Sequence, residues 1–173
     1  MAIGANLTSF ITIGSVPLTF QTAVAILAGI ILGRKVGTFA MIGYLIIGLI
    51  GAPVFSGFHG GLQSVALPTF GFLLSFIPTA YFVGLTYEKM NNQSFYTFMF
   101  ASFIGLLINY AIGIIYLYFY SIYALEVAEQ SFIAITLSMI PFFIKDTVLV
   151  CFISSILPRI IRTLQLTTSA KTL

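Results

Sequence analysis

The sequence predicts an all-α, polytopic membrane protein with about six transmembrane helices, folded as a single transmembrane domain over residues 1–173. The first two observations that support this prediction are the composition and the mean hydropathy. Hydrophobic residues make up 60% of the chain and charged residues only 6%, and the mean hydropathy is +1.12. A soluble domain carries roughly 25% charged residues, because its surface meets water. The third observation is that apolar runs near or above ~18 residues recur, which is the length a helix needs to cross the hydrocarbon core.

Breaks between the apolar runs define the predicted crossings. The first has only about 16 residues before Pro17, at or below the usual length of a membrane helix, and it opens without the basic segment of a cleaved signal peptide. The Gly-rich segment 56–61 is too polar to span, and residues 130–140 are too few. We expect the latter to form a re-entrant or interfacial helix on the outer side. The predicted crossings are residues 1–16, 20–32, 36–51, 68–88, 94–120 and 142–161.

The charged residues predict the orientation of these helices. With the N-terminus in the cytoplasm, six of the seven Lys and Arg residues lie on the cytoplasmic side, as the positive-inside rule requires, and the seventh is Lys145. Glu126 and Glu129 then lie outside, and both termini are predicted to be cytoplasmic. Topology accounts for the net charge of +3, so no nucleic-acid partner is predicted. The six cytoplasmic residues are Arg34, Lys35, Lys89, Arg159, Arg162 and Lys171.

The sequence contains little that would support catalysis or a bound metal. Cys151 is the one cysteine, and it lies in an apolar stretch where it is interpreted as a packing residue. With a single histidine and no ligand spacing, neither a metal nor another cofactor is expected. The sequence has no nucleophile beside a base and no phosphate-binding Gly-Lys-Ser/Thr loop, so no enzyme is predicted. Uphill transport would therefore need an ATP site on another chain.

Lys145 and Asp146 form a charged pair inside the last predicted crossing. Each costs about 2.5–3.5 kcal/mol at membrane depth on insertion scales, so a wet cavity or partner groups must offset the cost. One alternative is an interface pair that merely starts the helix after Pro141. The other is a ligand site, in which Asp146 accepts hydrogen bonds and Lys145 binds an anion. Adjacent helical residues project about 100° apart, so the two side chains are expected to need different partners, which favours the ligand site.

Other polar residues are weaker candidates for ligand contact. Asn109 lies in mid-span, where an interhelical hydrogen bond is as reasonable as a ligand contact. Thr19 and Gln21 follow the first outer loop, and Gln63 lies in the Gly-rich segment. His59 is interpreted as a loop residue. The tyrosines near the outer boundary are interpreted as an interface belt, and they are Tyr116, Tyr118, Tyr120 and Tyr123.

Several motifs follow one another along nearly the whole chain, from SVPLTFQT at residues 15–22 to Asp146. In this order they resemble the BioY family, the biotin-specific substrate-binding (S) components of energy-coupling factor (ECF) importers. Residues 15–22 resemble that family's first outer loop and second helix. Further matches are residues 27–29, 32–33, 44–45, 48–55, 60–61, 68–69 and 71–72, followed by Tyr110, Gly113, residues 141–142 and Asp146.

The resemblance implies a specific function and a set of partners. It implies biotin uptake across a bacterial inner membrane, with biotin as the transported ligand and Asp146 as the acceptor for its ureido N–H groups. It adds Gly61 and Thr69 to the candidate binding residues. It also implies a transmembrane coupling subunit and two ATPase subunits, which would dock on small residues of the first helix. The candidates for docking are Ala2, Gly4 and Ala5.

The sequence departs from the family pattern at three positions. Leu67 and Phe70 replace glycines, and Leu149 stands where the family has a lysine expected to meet the biotin carboxylate. Because residues 145 and 149 share one helix face, we hypothesise that Lys145 takes over this role from one turn away. Two alternatives remain open: an S component for another small vitamin, or a membrane assembly subunit without a small-molecule ligand.

Overall fold

The computed structural model describes residues 1–13, 16–90, 92–124 and 131–170, with side chains described as far as Ile161 and at Thr163. The α-helices are α1 (Ala2–Asn6), α2 (Gln21–Ile50), α3 (Phe70–Met90), α4 (Phe95–Tyr123), α5 (Phe132–Ser138) and α6 (Ile140–Ala170). Two short antiparallel strands, β1 (Thr12–Ile13) and β2 (Val16–Pro17), form a hairpin after α1. Two 3₁₀ turns, Ser56–Phe58 and Leu62–Ala66, lie between α2 and α3.

Part of the predicted orientation rests on residues beyond this description. Glu126, Glu129 and Lys171 lie outside the described residues, as do Ser15 and Asn91, and the Arg162 side chain is also outside them. The predictions for these positions therefore stay predictions.

Helix α2 reverses direction at Gly33, which has a φ of 77° and a ψ of 168°. A Cβ placed on Gly37 would lie 2.6 Å from the carbonyl oxygen of Ala28. Nine residues along a straight helix would be roughly 13.5 Å apart, so the two arms of α2 must fold back on each other. Glycine suits this turn because it adopts a positive φ without a steric penalty. The arms, residues 21–32 and 34–50, correspond to the second and third predicted crossings.

The end of the bundle that contains Gly33, called the turn end, is tightly packed. A Cβ on Gly29 would lie 2.5 Å from the Ala80 carbonyl oxygen, and one on Gly84 would lie 2.6 Å from the Arg34 nitrogen. Small residues allow such close backbone approach between membrane helices. The Glu88 carboxylate accepts a 2.9 Å hydrogen bond from the Arg34 backbone N–H and pairs with the Arg34 guanidinium at 3.1 Å. These contacts join the α2 turn to α3.

The opposite end of the bundle, called the loop end, is formed by the hairpin, residues 51–69 and α5. Among the described residues, four helical segments are long and apolar enough to cross a membrane: α2, α3, α4 and the Ile140–Ile161 part of α6. Large apolar side chains on their outer faces are exposed, including Phe39 at 70% and Phe152 at 63%. An exterior of this kind suits lipid, and the predicted all-α membrane fold is confirmed.

The first predicted crossing, residues 1–16, is wrong. Over residues 1–13 and 16–20, which the structure describes, the longest helix is the five-residue α1. Polar side chains end it: Asn6 donates to the Ala2 carbonyl, Ser9 to the Asn6 carbonyl and Thr8 to the Leu18 carbonyl. Such local bonds compete with a continuing helix, so the chain turns into the hairpin at the loop end.

Residues 130–140 were expected to form a short helix that does not cross. The structure contains α5 over Phe132–Ser138, and α6 begins at Ile140. A helix of seven residues is about 10 Å long, far less than the hydrocarbon core. The short helix is confirmed, whereas its side of the membrane is untested.

Candidate functional site

A cavity of about 280 Å³ opens at the loop end, between the hairpin and helices α3, α4 and α6. Its walls include large apolar and aromatic side chains and a smaller number of polar groups, the combination typical of small-molecule sites. The apolar wall residues are Val16, Pro17, Phe55, Leu67, Pro68, Phe72, Leu73, Phe76, Met139 and Phe142. The sequence analysis expected aromatic walls without identifying these residues.

Most of the predicted binding residues meet in this cavity. Two of the eight, Gly61 and Gln63, are not among the residues that line it. Gln63 donates to the Gly60 carbonyl at 2.6 Å, and the Gly61 N–H donates to the Gly48 carbonyl at 2.7 Å, so both shape the loop. The predicted residues that do line the cavity are Thr19, Gln21, Thr69, Asn109, Lys145 and Asp146.

Asp146 is the central polar group of the cavity and is only 4% exposed. Its Oδ2 accepts a 2.8 Å hydrogen bond from the Tyr110 hydroxyl, which fixes the carboxylate against α4. Its Oδ1 lies 2.8 Å from the Lys145 ammonium nitrogen but accepts no hydrogen bond of good geometry from the described residues. The contact is thus an ion pair that leaves hydrogen-bonding capacity on Oδ1, where a ligand N–H can be accepted.

Lys145 contacts two groups at once. Its ammonium pairs with Asp146 and donates to the backbone carbonyl of Thr19. The sequence predicted that residues 145 and 146 would not face each other well and would need different partners. The two side chains do form an ion pair, and each also contacts a group on another element, Thr19 for Lys145 and Tyr110 for Asp146. An ammonium has three donors and the Thr19 carbonyl accepts one of them, so Lys145 retains donor capacity for an anionic group in the cavity. The Thr19 contact also joins α6 to the loop that precedes α2.

Gln21 is buried at the start of α2 and forms part of a short hydrogen-bonded chain. Its side-chain amide donates to the Tyr44 hydroxyl at 2.9 Å, and Tyr44 donates to the Val54 carbonyl at 2.9 Å. This chain links the two arms of α2 to the loop after it. Gln21 therefore has a structural partner as well as a position on the cavity wall.

Asn109 makes the interhelical hydrogen bond, one of the two alternatives that the sequence left open, and it also lines the cavity. Its side-chain NH₂ donates to the Ser75 hydroxyl on α3 at 3.1 Å, which is the interhelical bond. Its Oδ1 is buried and has no hydrogen-bond partner among the described residues, and the residue lines the cavity. Such an acceptor is costly to leave unpaired and suits a ligand donor.

The small residues predicted for partner docking lie at the loop end. Gly4 and Ala5 are buried, and the Gly4 carbonyl accepts a hydrogen bond from the Phe20 N–H at 2.8 Å. A Cβ on Gly4 would come 2.9 Å from the Val24 side chain. These two residues pack within the chain, and with the partly buried Ala2 they lie at the end opposite the Gly33 turn. The docking role of these residues stays a prediction.

Sequence reasoning missed two parts of the site. Tyr110 was noted only for its resemblance to a family position, and its hydrogen bond to Asp146 depends on how α4 and α6 pack. His59, interpreted as a loop residue, lines the cavity beside Gly57. For Tyr110 the available signal was its position next to Asn109 within an apolar span, because a buried tyrosine hydroxyl usually needs a hydrogen-bond partner. Among the described residues, no three His, Cys, Asp or Glu side chains could hold a metal ion.

Comparison with known proteins identifies the family. The sequence model of the BioY family matches residues 1–166. This chain belongs to the BioY family. BioYB of Bacillus subtilis (strain 168) is 37% identical over 175 residues, an alignment that covers 95% of this chain and 84% of that protein. The biotin transporter BioY of Thermotoga maritima is 41% identical over 110 residues, covering 64% of this chain and 64% of the relative.

A solved structure agrees with the fold of this BioY-family chain. The crystal structure of the S-component for biotin from an ECF-type ABC transporter matches with a TM-score of 0.75. The match covers 88% of this chain and 79% of that one, at 24% sequence identity. This likeness establishes the S-component fold, and with the family match it confirms that the protein is a membrane protein.

Proposed function

We propose that this protein binds biotin in the loop-end cavity and acts as the substrate-binding membrane subunit of an ECF-type importer. The observation that carries the proposal is the buried Asp146 carboxylate, whose Oδ1 is ion-paired with Lys145 yet free of hydrogen bonds from the described residues. Burying a carboxylate within a membrane protein costs free energy, and such residues usually belong to a functional site. Membership of a family with relatives named biotin transporters supports a transport subunit rather than an enzyme.

The chemistry of biotin suits the groups in the cavity. Its ureido ring carries two N–H donors, its bicycle and tail are apolar, and its carboxylate is an anion. Asp146 would accept a ureido N–H, in a charge-assisted bond worth about 1.5–3 kcal/mol net. Phe72, Phe76 and Phe142 would contact the apolar bicycle. A ligand without the N–H donors would leave a buried acceptor unpaired, which provides the discrimination.

Lys145 would bind the biotin carboxylate in place of the family lysine that Leu149 replaces. Its ammonium reaches the cavity from one turn above residue 149 and is held there by Asp146 and the Thr19 carbonyl. In this role the ammonium would exchange part of its contact with Asp146 for the ligand carboxylate. The ammonium would then lie between two carboxylates, and Asp146 would also be stabilised by the Tyr110 hydroxyl and the ureido N–H, so that neither anion is left without a partner.

We infer that the turn end faces the cytoplasm and that the cavity opens to the outside. Arg34, Lys35 and Lys89 lie at the turn end, and α6 runs towards that end through Arg159, in keeping with the positive-inside rule. The C-terminus would then be cytoplasmic. Residues 1–6 lie at the loop end, so a cytoplasmic N-terminus is not supported by the described residues.

Orientation can be tested by labelling introduced cysteines with a membrane-impermeant maleimide in intact cells. In a Cys151→Ser background, Phe58→Cys at the loop end should be labelled from outside. Lys35→Cys should be labelled only after the cells are opened. The reverse pattern would overturn the orientation.

Import against a gradient would need energy from other chains, and we propose a transmembrane coupling subunit and two ATPases. Support comes from the fold shared with an S-component of an ECF-type ABC transporter. Co-expression with such a module should give ATP-dependent biotin uptake and a co-purified complex. Uptake without any module would show that this chain transports alone.

The missing family lysine favours testing a second ligand class. A site without a lysine at position 149 would suit a small vitamin with a different polar end. The purified, detergent-solubilised protein should be titrated with biotin and with a panel of other water-soluble vitamins. Biotin binding alone supports the proposal. Binding of another vitamin in its place would reassign the ligand, and binding of none by a folded protein would favour an assembly subunit.

A further inference from the structure

The Ser75 hydroxyl determines which end of the Asn109 side-chain amide faces Ser75. Ser75 lies on α3 and is fully buried, and its Oγ is 2.7 Å from the Phe72 carbonyl oxygen. A carbonyl oxygen only accepts hydrogen bonds, so the single Ser75 hydroxyl proton must point to Phe72. Towards Asn109, 3.1 Å away, Ser75 can therefore only accept.

The orientation of the Asn109 amide follows from this proton count. An acceptor at Ser75 requires Asn109 to present its NH₂ group to it, and the amide oxygen is then turned away from Ser75. That oxygen is buried and has no hydrogen-bond partner among the described residues. Because residue 109 lines the cavity and residue 110 holds Asp146, the oxygen belongs to the same turn of α4 that positions the carboxylate.

We propose that Asn109 Oδ1 and Asp146 Oδ1 form a pair of acceptors for the two N–H donors of a cyclic urea, and that Ser75 is the positioning residue that keeps the first of them an acceptor. This inference rests on the proposed biotin function and deepens it. It assigns the two N–H groups to two different helices, α4 and α6. The site would therefore select ligands with two adjacent N–H donors over ligands with one.

Selectivity, rather than affinity alone, tests this assignment. The probes are biotin and its two cyclic carbamate analogues, in each of which one ring N–H is replaced by an oxygen of similar size. Opposing an acceptor with an oxygen leaves a buried group unpaired, so the wild-type protein should bind each analogue at least about tenfold more weakly than biotin. Equal binding of biotin and both analogues by the wild-type protein would overturn the inference without any variant.

Two variants assign the acceptor on α4. Asn109→Leu should bind biotin about tenfold more weakly and should lose its discrimination against one of the two carbamates, while keeping it against the other. Ser75→Ala frees the amide to turn, so the same carbamate should gain relative to biotin. The matched control is Ser102→Ala, which removes a fully buried, unpaired hydroxyl from α4 outside the cavity lining and should leave both ratios unchanged.

The outcomes separate this inference from the proposed function. If the folded wild-type protein does not bind biotin, the proposed function fails. If it binds biotin and Ser75→Ala retains the wild-type ratio against both carbamates, the positioning role is wrong. A variant that does not fold, judged by helicity and size-exclusion profile, leaves the wild-type comparison of the three ligands as the deciding test.

Discussion

The two ends of the bundle use polar and small residues in opposite ways. At the turn end, Gly29 and Gly84 bring backbones so close that an added Cβ would meet main-chain atoms at 2.5–2.6 Å. At the loop end, the helices enclose a cavity of about 280 Å³, lined by a carboxylate and an amide whose Oδ1 atoms accept no hydrogen bond of good geometry from the described residues. Close backbone packing therefore distinguishes the turn end, and an open cavity with polar groups distinguishes the loop end, where we propose that the ligand binds. Substitutions at the turn end should therefore change stability, and those at the loop end should change binding.

The largest effect on stability is expected for Gly29→Val at the turn end. The new side chain would collide with the Ala80 carbonyl oxygen, a backbone atom that cannot move without displacing α3. Overpacking of this kind costs about 1–3 kcal/mol or more, so the melting temperature in detergent should fall by roughly 10 °C. Gly43→Val is the matched control, because no atom of the described residues outside the neighbouring helix backbone lies within 4 Å of a Cβ there. Equal melting temperatures for the two variants would contradict the close-packing account.

After substitutions of Asp146 itself, the largest effect on biotin binding at the loop end is expected for Lys145→Met. Removing the ammonium takes away the proposed partner of the biotin carboxylate, so the Kd for biotin should rise by about tenfold or more. Lys35→Met, at the turn end, should leave the Kd unchanged. Biotin amide, which lacks the anion, should bind the wild-type protein and Lys145→Met about equally. An unchanged biotin Kd in Lys145→Met would rule out this residue as the replacement for the missing lysine.

A smaller effect is expected for Tyr110→Phe. The substitution removes the 2.8 Å hydrogen bond to Asp146 Oδ2 and lets the carboxylate shift, while the ring keeps its packing. A single hydrogen bond to a charged group suggests a Kd for biotin about five- to tenfold higher, measured by calorimetry. Tyr116→Phe is the control on the same helix, because its hydroxyl donates to the Val65 carbonyl outside the cavity lining. Similar Kd values for both variants would show that Tyr110 does not position Asp146.

The smallest effect is expected for Arg34→Gln. Both partners of the Arg34–Glu88 pair are more than a third exposed, and such surface pairs contribute about 0–1 kcal/mol. The melting temperature should change by no more than about 3 °C, and the biotin Kd should not change. A large loss of biotin binding would show that the turn end influences the ligand site. It would contradict the separation of stability and binding between the two ends.

Much of the fold could be predicted from the sequence because the membrane imposes simple rules. Long apolar runs, the Gly33 break and the change of composition at residues 51–69 identified the helices and the loop end. The first crossing was wrong, because residues 1–16 are apolar on average while Asn6, Thr8 and Ser9 use their side chains to end α1. The average hydropathy of a segment gives no information on the hydrogen bonds that its polar side chains make to the backbone.

The candidate site was only partly predictable. Lys145 and Asp146 stood out because charges are rare at membrane depth, and Asn109 because polar residues there need a partner. The roles of Tyr110 and Ser75 depend on contacts across 36 and 34 residues of sequence, which only the packing of the helices establishes. The ion pair of Lys145 with its own neighbour depends on a side-chain conformation that helix periodicity does not predict.

The most direct test of the central claim compares Asp146→Asn with Glu88→Gln in calorimetric titrations with biotin. Each change replaces a carboxylate by an amide of nearly the same shape, one in the cavity and one at the turn end. The account predicts about a ten- to hundredfold loss of biotin affinity in Asp146→Asn and wild-type affinity in Glu88→Gln, with both proteins folded. Wild-type affinity in Asp146→Asn would contradict the account, because it would remove Asp146 from the biotin site.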